Sequence, residues 1–355
     1  MAAITNLLPD MAARAAGYDE ACAFPLDDIA ALREANLLAA VLPRRAGGLG
    51  LGTEPQGAET LALALRLLGR GNLAVGRLFE AHVNALRLIA SRGTPDQLRR
   101  AATLVQAGAL FGLWVTDPPQ DALRATADGS LHGGKAFCSG AGQLRHAVVT
   151  LRDPAGATRL AMLATEGTVA TPLPMRMQGM RAATTGRIAF DGLRIAAGAW
   201  IGQPDDYLAE PDLSAGAWRT SAVTCGGLEA LLALAMTQLV ARGRDADPHQ
   251  RARMGRAWIA QETALLWLQR AADAAERGAD AADAVATVGF ARTAIEDACF
   301  AILQLVERSL GLAAFMQPGP IERVRRDLAT YLRQPAADEV LTEAAAHVMR
   351  TQGGG

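Results

Sequence analysis

The chain is almost without lysine. Of its 355 residues only Lys135 is a lysine, and every other basic side chain is an arginine. The 35 bases balance 36 acids to a formal net charge of −1 and gather into no basic stripe, which excludes the electrostatic footprint of a nucleic-acid binder. Its four cysteines, Cys22, Cys138, Cys225 and Cys299, are scattered, so there is no CxxC motif and no basis for a disulfide framework. The five histidines lack metal-ligand spacing, and no metal is expected. No window offers the ~18 charge-free apolar residues of a membrane span. The emptiest part of the third quarter, residues 229–242, falls short of it. Residues 1–25 lack a basic start followed by an apolar core, so we expect no secretory leader and a cytoplasmic location. P-loop, HExxH and GxSxG motifs are missing as well.

What is there is a change of texture along the chain. The first third reads as helices: an amphipathic one from Leu26 to Leu38 stopped by Pro43, then apolar ones over 54–68 and 75–91. A turn at 93–96 supplies the N-cap of another that runs through Gln106. Gly47 to Gly52 has the wrong spacing for a dinucleotide fingerprint and no strand before it, so it reads as a helix–helix loop. After Gly108 the period shortens. Residues 147–151 and 159–164 are strand candidates joined by the turn Asp153-Pro-Ala-Gly156, and short strands with Gly and Pro between them suggest a small barrel or sandwich. Helical spacing returns near Leu213. Leu228, Leu231, Leu232, Ala235 and Leu239 form one stripe; Trp258, Leu265, Leu268, Ala272 and Ala275 a second; Ile295, Cys299, Ile302 and Val306 a third. With a shorter element over 321–332 they make a bundle. The expected organisation is an α-helical domain over 1–110, a β-domain over 111–205 and a helical bundle over 206–355.

Two phrases in the middle carry chemistry. Trp114-Val-Thr-Asp-Pro-Pro119 is extended chain whose fixed main-chain groups can hydrogen-bond the edge of a planar heterocycle, with the Thr116 hydroxyl beside them. Leu131 to Gly142 adds the Phe137 ring and the Ser139 hydroxyl, with glycines that permit close approach. On the residues alone the same phrases also suit an ordinary β-hairpin.

Taken together, phrases along nearly the whole chain resemble the acyl-CoA dehydrogenase superfamily of flavoproteins. They are Leu32 to Gly50, Arg92 to Gln97, Val115-Thr-Asp-Pro118, Lys135 to Ser139, Gly179-Met-Arg181 with Phe190-Asp191 and Ile201-Gly202, and Pro320-Ile-Glu-Arg-Val-Arg-Arg-Asp327. The resemblance implies a mostly α fold with a small central β-domain, an N-terminal helical domain and a C-terminal four-helix bundle, assembled as a homodimer or homotetramer. It implies FAD held between the β-domain and the bundle. Leu113, Val115, Thr116, Phe137 and Ser139 would surround the ring system. Arg242, Arg244, Gln250, Arg308 and Gly311 would approach the phosphates and adenosine, often across a subunit interface. The alternative for Arg242 and Arg244 is a solvated helix end.

The implied activity is FAD-dependent oxidation of a CH–CH bond in an acyl thioester, with an electron acceptor as partner. That reaction needs a carboxylate to take a weakly acidic proton. The two positions at which the family keeps it hold Pro335 and Trp218 here. Asp338 and Glu339 are the nearby candidates for a displaced base, and both also suit the first turn of a helix without further role. The Gly-x-Gly-Ser-Asp loop that follows Val-Thr-Glu-Pro in the family is Pro119-Gln-Asp-Ala122. Two other readings stand beside the dehydrogenase: a flavin monooxygenase of the same fold, fed by a reductase, and a silent paralogue serving as partner subunit.

Overall fold

A computed structural model describes residues 2–278 and 280–353. Six helices come first: α1 (Ala2–Ala21), α2 (Leu26–Glu34), α3 (Leu37–Ala40), α4 (Ala58–Gly71), α5 (Leu73–Arg92) and α6 (Pro95–Gln106). Nine strands follow: β1 (Phe111–Trp114), β2 (Arg124–Ala125), β3 (Leu131–His132), β4 (Gly134–Cys138), β5 (His146–Arg152), β6 (Thr158–Ala164), β7 (Val169–Pro172), β8 (Gly186–Ala189) and β9 (Trp200–Ile201). The chain closes with α7 (Asp212–Ala215), α8 (Ala217–Ala241), α9 (Pro248–Arg277), α10 (Ala281–Leu310), α11 (Pro320–Tyr331) and α12 (Ala337–Gln352).

Local signals explain several boundaries. α6 starts on a full capping box, in which Thr94 and Gln97 bond each other's main chain. The amphipathic run expected over 26–38 is broken in two, because Asn36 takes a left-handed conformation (φ 56°) between α2 and α3. α1 carries no strong periodicity and holds Pro9 within it, which is why sequence pattern alone passes over it.

The strands form two sheets. One has the order β3-β2-β5-β6-β9, with β1 paired in parallel to β5; the other is β4-β8-β7. The β4–β8 ladder slips between Lys135 and Cys138, so Phe137 sits on a bulge. In the bundle the first and third stripes read from sequence are buried, whereas Trp258 of the second is 51% exposed. Within Asp212–Ala241 and Ala281–Phe315, which contain α8 and α10, an 18-residue window reaches a mean hydropathy of 1.6 and 1.5, the level of a membrane span, while admitting up to two charged residues. In the first, 61% of the window is buried in the protein, as in the core helix of a bundle.

Close backbone approach locks the N-terminal helices onto the bundle. A Cβ at Gly226 of α8 would lie 1.9 Å from the Arg66 carbonyl oxygen of α4, and one at Gly69 2.2 Å from that of Val223. Only glycine allows this crossing. A buried histidine then fixes the β-domain to the same block. The Phe111 amide, at the start of β1, donates to Nδ1 of His82 on α5, so Nε2 carries the proton and donates to the Leu38 carbonyl. Burial holds this imidazole neutral, its pKa pushed down to about 4.

The late Glu322–Asp327 signature is a clamp. Arg326 donates to Asp19 of α1 (2.6 Å), to Glu322 (2.9 Å) and to the Gln178 carbonyl (2.8 Å). Asp327 accepts from the Met180 amide at 2.6 Å, and burial raises its pKa to about 6.

Candidate functional site

Two adjoining features meet at the end of β1. The first is a crevice made mostly of main chain. The Ala136 amide donates to the Thr116 carbonyl (2.9 Å), and the Trp114 indole donates to the Ser139 carbonyl (3.1 Å). These bonds bring the two phrases together, so Leu113, Val115, Thr116, Phe137 and Ser139 form one group. Beneath them Lys135 is buried, bonded to Asp117 (2.5 Å) and Thr150 (2.9 Å), with its pKa lowered by burial. The lone lysine therefore braces the two segments against each other. Next to it, burial pushes the Cys138 thiol up to about 12, which leaves it inert as a nucleophile.

The amides of Thr116 and Ser139 donate to no acceptor among the described residues. Phe137 is 59% exposed at a positive φ of 52°, a conformation that costs energy for a bulky residue. Free donors, an open aromatic ring and an exposed hydroxyl on one rim fit the polar edge of a planar heterocycle such as the one the resemblance implies.

The second feature is a pocket of about 290 Å³ that shares Leu113 and Val115 with the crevice and runs between α5 and α8 toward α10 and the 331–335 segment. Its wall sets charged groups among apolar ones such as Leu88, Ile295 and Leu332. Glu80 accepts from Arg77 and Asn84, while Asn84 in turn accepts from Arg219. Glu276 of α9 stands just behind, 2% exposed in its side chain. It accepts from Arg87 (2.5 Å), Arg219 (3.0 Å) and the Trp218 indole (3.1 Å). Asp212 pairs with Arg92 at 2.7 Å. Burial, reinforced by Arg87, brings the Arg219 guanidinium down to about 10.

Pro335 lines this pocket, and its carbonyl accepts from Arg292 at 2.5 Å. Trp218 is fully buried, with its indole on Glu276. Asp338 and Glu339 are exposed in the first turn of α12 and do not line the pocket. The remaining residues expected at the cofactor are elsewhere. Arg242 and Arg244 follow the far end of α8, roughly 35 Å along its axis from the pocket at its start. Gln250 donates to the Ser309 carbonyl, which gathers Arg308 and Gly311 to that same end. Within one chain the structure does not bring this second group to the first.

Reading the sequence missed the pocket wall. A signal was present: Arg77, Glu80, Asn84 and Arg87 fall at i, i+3, i+7 and i+10 in an otherwise apolar helix, a polar stripe on one face. Glu276, Arg292 and Glu296 join it from other helices, and no local pattern marks them.

Residues 6–108 match the family described as the acyl-CoA dehydrogenase N-terminal domain. Over 105 residues the chain is 30% identical to the 3-sulfinopropanoyl-CoA desulfinase of Variovorax paradoxus; the match spans 29% of this chain and only 25% of that protein's length. Among solved structures, the chain is similar to TdsC, a dibenzothiophene monooxygenase of Paenibacillus sp. A11-2, in its complex with FMN and indole. There the TM-score is 0.85 at 17% identity, covering 98% of this chain and 96% of that one. It is also similar to butyryl-CoA dehydrogenase of Megasphaera elsdenii, with a TM-score of 0.82 at 19% identity over 99% of both chains. The whole chain thus has the fold of these enzymes. Its N-terminal helices, residues 6–108, also match the family model of the acyl-CoA dehydrogenase N-terminal domain.

Proposed function

We propose that the protein is a flavin-dependent monooxygenase acting on a small polar molecule held in the charged pocket beside β1. The observation that carries this reading is that Pro335 and Trp218 stand at the two positions where a thioester dehydrogenase keeps its base, beside a pocket wall that sets paired charges among Leu88, Leu113, Val115, Ile295 and Leu332. Seating an alkyl chain against paired charges would strip their solvation without replacing it. A carboxylate at one of those two positions would supply general-base catalysis for removing a proton beside a thioester carbonyl, typically about 10²–10⁴-fold in rate, and neither position holds one. Oxygen transfer does not call for a carboxylate at either of them.

The flavin would lie on the Thr116 and Ser139 amides with Phe137 at its edge, and the FMN complex of TdsC supports a flavin in this fold. The resemblance favours FAD. When bound and reduced, it supplies the electrons that activate O2. This chain's part is to fix the ring, hold the substrate between α5 and α8, and keep bulk water out. We infer further that a second copy covers the far end of the bundle. Val240, Leu312, Phe315 and Met316 are exposed there beside Arg242, Arg244, Arg308 and Gly311, and these would reach the partner's flavin tail.

Visible spectra of the purified protein test the reading. We expect a bound, yellow flavin that butyryl-CoA and octanoyl-CoA leave unbleached without oxygen, and O2 uptake when a reductase supplies electrons. Anaerobic bleaching by either thioester would overturn the reading in favour of a dehydrogenase. A protein that binds neither FAD nor FMN would overturn it in favour of a silent partner subunit.

A further inference from the structure

Two polar groups in the pocket are weakly held by their neighbours. Glu296, on α10, is half-buried on the pocket wall one helical turn beyond Arg292, and it makes no hydrogen bond or ion pair among the described residues. The other acids of the wall, Glu80 and Asp212, are each held by arginine, and the Arg292 guanidinium is committed to the Pro335 carbonyl. Across the same cavity, Tyr331 of α11 is only 6% exposed, and its hydroxyl has Thr220 near it but no hydrogen bond of good geometry. A phenol that deep without a well-made bond is costly, and it lines an open cavity rather than packed core. Each group alone is an irregularity. Together they face one cavity.

We propose that Glu296 and Tyr331 select a small molecule carrying a protonated nitrogen and a hydrogen-bonding oxygen, and that Glu296 takes the proton from that nitrogen. A carboxylate with no hydrogen bond of its own in a partly desolvated cavity can still take a charge-assisted bond from a cation, with Arg292 as its neighbouring opposite charge, and the hydroxyl of Tyr331 can give or accept one bond to an oxygen. A cavity of about 290 Å³ has room for an amino alcohol or a somewhat larger molecule carrying the same two groups. This deepens the monooxygenase reading and rests on it. An ammonium has no lone pair to receive oxygen, so its proton must leave first. The N–H bond breaks, an O–H bond forms on Glu296, and no electrons change hands. Pro335, where the family's base would stand, is thereby replaced by a carboxylate from another helix.

Calorimetry on the flavin-loaded protein tests this with two probes, 3-amino-1-propanol and 1,3-propanediol. We expect the amino alcohol to bind at least about tenfold more tightly, the value of one charge-assisted hydrogen bond. Glu296→Gln should erase that preference and Glu296→Asp should keep part of it. Tyr331→Phe should weaken both probes alike, about three- to tenfold. Equal binding of the two probes to the unaltered protein, or an undiminished preference in Glu296→Gln, would overturn the proposal. Flavin affinity is measured on the same samples. A preference for the amino alcohol in protein that binds no flavin would support this site and sink the flavin reading. Flavin binding without the preference would do the reverse.

Discussion

The crevice and the pocket share Leu113 and Val115 but are built from different materials. The crevice is main chain: two free amides, a bulge and a bonded pair of extended segments. The pocket is side chain: arginines and acids of α5, α7, α8 and α10 backed by Glu276 of α9, most of them in ion pairs, Arg292 and Glu296 apart. The difference teaches that main-chain donors, which on the proposed reading cradle a planar cofactor, can stay fixed while the neighbouring cavity changes chemical character. Main-chain donors survive almost any substitution. Side-chain walls do not.

The sharpest way to break the contrast is to unpair the pocket. Glu276→Ala would leave Arg87, Arg219 and the Trp218 indole without their shared acceptor. Breaking a buried pair from one side costs about 3–5 kcal/mol. We expect that loss in urea unfolding, with Glu276→Gln milder because the amide oxygen still accepts. An undisturbed midpoint in Glu276→Ala would mean that the wall is not a stabilising network.

The crevice should fail differently, through acid. His82 backs β1 and has a folded pKa near 4 against an ordinary 6.5. Below pH 6.5 the unfolded chain takes a proton that the native imidazole refuses. Stability therefore falls as pH drops from 6.5 to 4, by on the order of 3 kcal/mol from this group. Asp327 acts with the opposite sign. Its folded pKa is raised to about 6, so its contribution is present below about 3.8 and is lost as pH rises through 6. His82→Gln should flatten the acid loss measured by denaturant unfolding, and Asp327→Asn should steepen it.

A milder change at the crevice rim sharpens the same point. Thr116→Val removes one exposed hydroxyl and leaves the Thr116 amide in place. Flavin affinity, read by fluorescence quenching, should drop about three- to tenfold, the value of one hydrogen bond, with unfolding unchanged. A complete loss of binding would show that the hydroxyl, not the main chain, is the main anchor.

How far each region could be read from sequence follows from the same distinction. The crevice was legible because its pieces are contiguous: Val115-Thr-Asp-Pro118 and Lys135 to Ser139 are each one segment, and a turn or bulge brings them together. The bundle was legible from stripes such as Leu228 to Leu239, though Trp258, on a face turned outward, was misread as core. The pocket was not legible. Glu276, Arg292 and Glu296 come from α9 and α10, and only the crossing of helices makes them neighbours of Arg219 and Pro335. α1 escaped because its moment is weak and Pro9 reads as a breaker.

The smallest expected effect marks the outer edge of both regions. Asp338 and Glu339 stand close in sequence to Pro335, which made them candidates for a displaced base. A turn of helix, however, is enough to decide direction. Ala336 takes a left-handed conformation (φ 58°) at the start of α12, and the two acids then face solvent in its first turn, where they offset the helix dipole. The double variant Asp338→Asn with Glu339→Gln should cost less than about 1 kcal/mol in thermal unfolding. It should leave flavin affinity and the turnover of any substrate within error of the unaltered protein. A large fall in turnover at unchanged flavin affinity would mean that α12 swings inward when the pocket fills. The proton acceptor would then belong to this segment and not to Glu296.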